Sequence, residues 1–170
     1  MGFTDKLKET ITTAENFSKL LKNKKRKGEI FTEKTFFATG TAYYTENIQK
    51  LLKLNANYKS SARSIIKNGL VNRNIYKYQC LETRAKLIPD SKNKHDKNAV
   101  QVHIDGKLVG FIKREETYTV KDILGNYYVE YINAFVSGGE NKIVFPNKDI
   151  YKNDGNFSIR IKIGYYVYTI

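Results

Sequence analysis

Tryptophan is missing from this chain, and cysteine and methionine each occur once in 170 residues. A lone cysteine, Cys80, can form no internal disulfide and anchor no cysteine-ligated metal site. It falls in a predicted strand, where it reads as a small buried hydrophobe. No apolar run approaches the roughly 20 residues of a membrane-spanning helix. Polar and acidic residues interrupt every candidate hydrophobic region near the N-terminus, so no signal peptide is expected. Lys6 occupies the position where a myristoylation motif needs Ser or Thr. These absences predict a cytoplasmic protein without a membrane partner.

Signatures of chemistry are equally scarce. The chain has no GxxxxGK[ST] loop, no GxGxxG fingerprint and no GxSxG elbow. Its two histidines are His95 and His103. The adjacent His95 and Asp96 stand in a lysine-rich run, a poor metal cage with no C-x2-C pair to complete it. Serines at 60–64 read as helix caps. The acidic doublet Glu115-Glu116 suits a helix N-terminus. No catalytic residue, no metal and no cofactor is predicted, and the chain reads as a non-enzyme.

What the chain does have is positive charge and aromatic rings. Lysine and arginine number 30 against 17 acidic residues, a net charge of +13. Such an excess points to a polyanionic partner, although codon bias toward lysine is a bland alternative. Lysines make up 24 of the 30, and lysine attracts phosphate without the fixed fork of arginine. Tyr and Phe together number 22, so much of the core must be aromatic, with some hydroxyls at the surface.

Apolar residues Phe3, Leu7, Ile11, Ala14 and Leu21 predict an amphipathic helix over 3–21. It runs into KNKKRK at 22–27, whose Lys24, Lys25 and Arg26 form a candidate basic surface or simply complement the helix dipole. Residues 1–30 are thus expected as a helical extension and 31–170 as one β domain. A strand ends at Gly40, Thr45 opens a short helix ENIQKLLKL, and a second helix starts near Ser60 or Ser61 and stops at Gly69. These helices, inserted at about 45–70, should lie against the sheet. Residues 75–88 alternate as one long strand ending at Pro89. After a polar loop at 90–97, Asp105-Gly106 marks a hairpin.

A clean two-residue turn there pairs Val100 with Phe111 and buries Phe111; a bulged turn puts Ile112 inside and Phe111 outside. Residues 115–125 read as a short helix. Strands resume at 127 and end in NFSIRIKIGYYVYTI, with Phe157, Ile159, Ile161 and Ile163 on one side and Arg160 and Lys162 on the other. Six to eight short strands predict a mainly β fold, a small barrel or sandwich.

Three pieces of sequence carry a resemblance: ATGTAYY at 38–44, NKHDKNAVQV at 93–102 and DGKLVGFIKR at 105–114. In order and spacing the last two resemble the HIRAN family, small domains found ahead of Swi/Snf-type translocases and as stand-alone bacterial and phage proteins. The likeness extends loosely over 33–150. It implies a modified OB-like β-barrel that holds the 3′ end of single-stranded DNA in an aromatic pocket. By that resemblance the aromatic pair is Tyr43 and Tyr44. His95 and Asp96 come from the polar run, Phe111 follows the glycine, and Lys113 and Arg114 are the basic pair. Two positions differ: Ala42 stands where the family has arginine, and His95 where it has tyrosine.

Tyr43 and Tyr44 in extended chain would face opposite ways, with Tyr43 in the pocket. Asp96 is expected to cap the turn before Asn98, or to accept a hydrogen bond from a 3′ hydroxyl or base amine. Asn98 should fix the loop backbone and Ala99 a tight packing position. Lys113 and Arg114 alternate, so only one can reach a groove. Lys94 and Lys97 extend the basic surface. The expectation is a single-stranded DNA-binding module. The alternative is an adaptor that docks on a nuclease or translocase of a host.

Overall fold

A computed structural model of the chain describes residues 29–168. Residues 32–166 form one compact unit; outside it only 29–31, 167 and 168 are described. The predicted helix 3–21 and the basic residues Lys24, Lys25 and Arg26 lie outside the described residues.

The unit is mainly β, as expected. Ten strands are present among the described residues: β1 (Glu29–Thr39), β2 (Ile75–Tyr76), β3 (Leu81–Arg84), β4 (Lys86–Pro89), β5 (Val100–Ile104), β6 (Lys107–Ile112), β7 (Tyr128–Gly138), β8 (Asn141–Val144), β9 (Ile150–Asn153) and β10 (Phe157–Tyr168). Seven of them make a nearly closed antiparallel barrel in the order β3-β7-β10-β1-β6-β5-β4, and β2-β8-β9 form a small separate sheet. The two ends of the seven-stranded sheet are consecutive in sequence, with Ala85 alone between β3 and β4. Its N–H donates to Ile132 O on β7 at 2.9 Å.

The core follows strand alternation. Val100, Val102 and Ile104 of β5, Ala134 and Val136 of β7, and Ile159, Ile161 and Ile163 of β10 are buried, one residue in two along each strand. Phe36 of β1 and Val120 and Ile123 of the helix α4 (Thr117–Asn126) complete the filling.

Two expectations for 75–88 are overturned. The segment is not one strand but three, and each pairs with a different neighbour: β2 with β8, β3 with β7, and β4 with β5. Its uniform alternation concealed two breaks. Cys80 falls in the first of them and is exposed rather than buried.

The excursion after β1 holds three short helices, α1 (Thr45–Gln49), α2 (Ala56–Lys59) and α3 (Ala62–Lys67). Helix α1 is shorter than ENIQKLLKL promised. Its Ile48 is fully buried, and Asn47 Nδ2 donates to Leu108 O of β6 at 2.9 Å. Helix α3 starts where expected, capped by Ser61, whose Oγ accepts from Ser64 N–H at 3.3 Å. Ile65 of α3 packs with Ile75 and Val144 beneath the small sheet, flanked by Tyr58, Ile66 and Leu70. A network beside it joins Tyr58, Glu140 and Lys77. The Tyr58 hydroxyl donates to Glu140, and Lys77 Nζ reaches the same carboxylate.

The hairpin register decides the position of Phe111. The turn has two residues, Ile104 paired with Lys107, but the ladder slips further along. His103 opposes Leu108 and Val102 opposes Gly110, so Val109 is the extra residue of a bulge in β6. Beyond it Phe111 opposes Gln101, not Val100. Ile112 turns inward, at 3% exposure, while Phe111 stays half-buried on the opposite face. The outcome expected of a bulged turn therefore arises from a bulge within the strand. Gly110 makes it possible: a Cβ there would sit 2.8 Å from Thr39 O on β1, closer than any side chain can approach.

Candidate nucleic-acid interface

The chain leaves β1 through Gly40, whose φ of +72° suits glycine. It then winds into a 3-10 turn, Thr41–Tyr44, closed by Tyr43 N–H to Gly40 O at 3.1 Å. Thr41 is buried and its Oγ1 donates to Phe157 O of β10 at 2.8 Å. This turn corrects the expectation of an extended pair. Tyr43 and Tyr44 do not alternate across a strand, and both reach the same cleft. Tyr43 is 89% exposed. Tyr44 is half-buried and tilts against Phe111, ring centroids 6.1 Å apart.

The opposite wall is the loop 90–99. Its backbone is tied by side chains rather than by regular structure. Asn93 Oδ1 accepts from His95 N–H at 3.0 Å and Asp96 N–H at 3.1 Å, and Asn93 Nδ2 donates to Asp90 at 3.2 Å. Gln101 Nε2 donates to the same Asp90 carboxylate at 2.9 Å. The hydrogen bond from Gln101, then that from Asn93, hold the Asp90 carboxyl below its ordinary range. Asp96 caps the next turn, its Oδ1 accepting from Asn98 N–H at 2.8 Å, as expected. Asn98 does not fix the loop backbone through its side chain. Its Oδ1 accepts from Lys121 Nζ at 3.2 Å instead, and Asn93 does the fixing. Ala99 is buried, as the packing argument required.

Between these walls lies an open cleft of about 500 Å³, lined by Thr39, Gly40, Tyr43, Tyr44, Asn93, His95, Asp96, Ala99, Phe111, Ile112 and Arg114. Six of the seven residues singled out from the sequence therefore converge: Tyr43, Tyr44, His95, Asp96, Phe111 and Arg114. Lys113 does not. Its Nζ sits 5.6 Å from the centre of the Phe37 ring, away from the cleft lining. Arg114 Nε approaches Asp96 Oδ2 at 3.6 Å, and the arginine side chain is 83% exposed. An ion pair this exposed adds little stability, and it leaves the terminal guanidinium nitrogens for another acceptor. Lys94 and Lys97 are exposed on the loop beside the cleft without lining it.

The arrangement offers ring faces, one guanidinium, and no cluster of carboxylates. Among the described residues no group of three or more His, Cys, Asp or Glu could hold a metal ion. No helix among them is long and apolar enough to cross a membrane. Five lining positions were not among the site residues read from the sequence: Thr39, Gly40, Asn93, Ala99 and Ile112. Asn93 opens the N-x-x-D run, and its asparagine was the available signal for an Asx-type loop tie. Compared with known protein families, with curated proteins and with solved structures, the chain matches none.

Proposed function

We propose that this chain is a non-enzymatic single-stranded nucleic-acid-binding module of the HIRAN type that holds a strand in the Tyr43–Arg114 cleft. The observation that carries the reading is the convergence of three aromatic rings and a partly uncommitted guanidinium on one open cleft. Ring faces stack bases of any sequence, worth about 1–3 kcal/mol per base. A guanidinium takes phosphate oxygens in a forked geometry. The net charge of +13 supplies the long-range attraction. Asp96, a lining residue of the cleft, is committed to its turn through one oxygen, and the other lies 3.6 Å from Arg114 Nε. That oxygen is the acceptor for a 3′ hydroxyl or a base amine.

Ala42 supplies no cation beside the tyrosines, so Arg114 is the cleft's own phosphate ligand. The test is fluorescence anisotropy with a labelled single-stranded oligonucleotide carrying either a 3′ hydroxyl or a 3′ phosphate. Binding that falls steeply with salt and weakens in Tyr43→Ala supports the module. A preference for the hydroxyl supports end capture by Asp96. Absence of binding at micromolar protein in low salt overturns the reading.

A further inference from the structure

A second, smaller pocket of about 220 Å³ lies across the Asp96–Arg114 pair from the cleft. It is lined by Asp96, Asn98, Arg114, Thr117, Tyr118 and Lys121. Asp96 and Arg114 belong to both concavities, so the pair is a saddle between them. Tyr118 is 83% exposed, and with Tyr43 at 89% it is one of two tyrosines almost wholly bare to solvent, one on each side of that saddle.

The floor under Tyr118 is firm. Thr117, Val120 and Ile123 of the same helix are buried, and Thr117 Oγ1 donates to Lys113 O at 3.1 Å. Tyr118 therefore stands on a packed helix with its ring uncovered. Lys121, one turn away from Thr117, donates to a neutral amide oxygen and forms no salt bridge among the described residues. A bare ring on a rigid support beside a cation is the pairing that holds successive nucleotides of a single strand.

Resting on the proposed function of the cleft, we infer that the strand continues over the Asp96–Arg114 saddle into this second pocket. There Tyr118 stacks a further base and Lys121 takes a phosphate, with Arg114 serving the phosphate between the two positions. The site is then a track of at least two stacking stations rather than a single end pocket.

The test uses the full chain and two probes, thymidine monophosphate and a thymidine octanucleotide, at fixed moderate salt. Tyr118→Ala is expected to weaken the octamer by about fivefold to a hundredfold and leave the mononucleotide unchanged. Tyr118→Phe, which keeps the ring plane, is expected to bind both probes as the parent does. Lys121→Ala is expected to lower the slope of log affinity against log salt for the octamer by about 0.7. Tyr43→Ala should weaken both probes. If Tyr118→Ala and Lys121→Ala match the parent on the octamer while Tyr43→Ala does not, the second station is overturned and the cleft stands. If Tyr118→Ala weakens the mononucleotide as much as the octamer, the two-station track is likewise overturned. If the parent binds neither probe, cleft and track fall together.

Discussion

Tyr44 and Phe111 meet with ring centroids 6.1 Å apart and planes tilted by 53°, although one ring comes from a 3-10 turn and the other from the far side of a bulge in β6. Tilted pairs of this kind are favourable, and this one ties the 41–44 turn to β6 within the cleft lining. Phe111→Leu keeps apolar bulk and removes the ring plane. It should cost less than about 1.5 kcal/mol in stability while weakening oligonucleotide binding at least about fivefold. Denaturant melts and anisotropy on the same sample separate the two effects.

Neighbouring cations should behave differently. Arg114 lines the cleft and Lys113 lies against Phe37. Arg114→Ala removes a charged hydrogen-bond donor from the strand, and a loss of about tenfold or more in affinity is expected. Lys113→Ala should cost only its share of general attraction, seen as a modest drop that vanishes at high salt. Equal losses that persist at high salt would place the phosphate ligand elsewhere.

Gly110→Ala tests the bulge. The added carbon meets the backbone oxygen of Thr39 at 2.8 Å, and backbone cannot step aside as a side chain can. Overpacking of this kind costs about 2 kcal/mol, a fall of roughly 4–8 °C in melting temperature for a chain of this size. Because the strain sits where β6 meets β1, binding should weaken as well. A variant that melts with the parent would show that β6 does not press on β1.

Alkaline pH probes the Tyr58–Glu140–Lys77 network. Burial first, and then the hydrogen bond to Glu140, push the Tyr58 hydroxyl up to about 12. Glu140 likewise raises Lys77. Both groups hold their protons more tightly folded than unfolded. Their contribution is complete below the unfolded tyrosine value of about 10 and is lost as pH rises toward about 12. Melting temperature should decline over that window, and the decline should be shallower in Tyr58→Phe. Identical profiles for the two proteins would remove Tyr58 from the network.

Which parts of this protein were legible in its sequence follows from the range of the interactions involved. Alternation is local, so the buried faces of β5 and β10 could be read directly. Ser61 as a cap and Asp105-Gly106 as a turn are local too. The division of 75–88 among three partners is not, because Ile75, Leu81 and Leu87 are equally apolar and nothing in the segment says which strand receives each. Cys80 was misplaced for that reason.

The candidate site divides along the same line. Tyr43, Tyr44, His95, Asp96, Phe111 and Arg114 could be named through the family resemblance, yet the turn that aims both tyrosines into one cleft depends on Thr41 reaching Phe157. Gly110 was the visible sign that Phe111 faces outward, since glycine inside a strand marks a bulge or a close backbone approach. Tyr118 and Lys121 gave no sign at all, because only the fold brings that helix beside the loop 90–99.

The bond from Thr41 to the carbonyl of Phe157 spans 116 positions of sequence. Every residue lining the cleft lies between 39 and 114, so a chain emerging from the ribosome has made the whole cleft lining before the strand that braces Thr41 exists. The brace arrives only with completion: nicking the backbone just ahead of β10, or delaying its docking, should leave both tyrosines present on a turn that has lost its anchor.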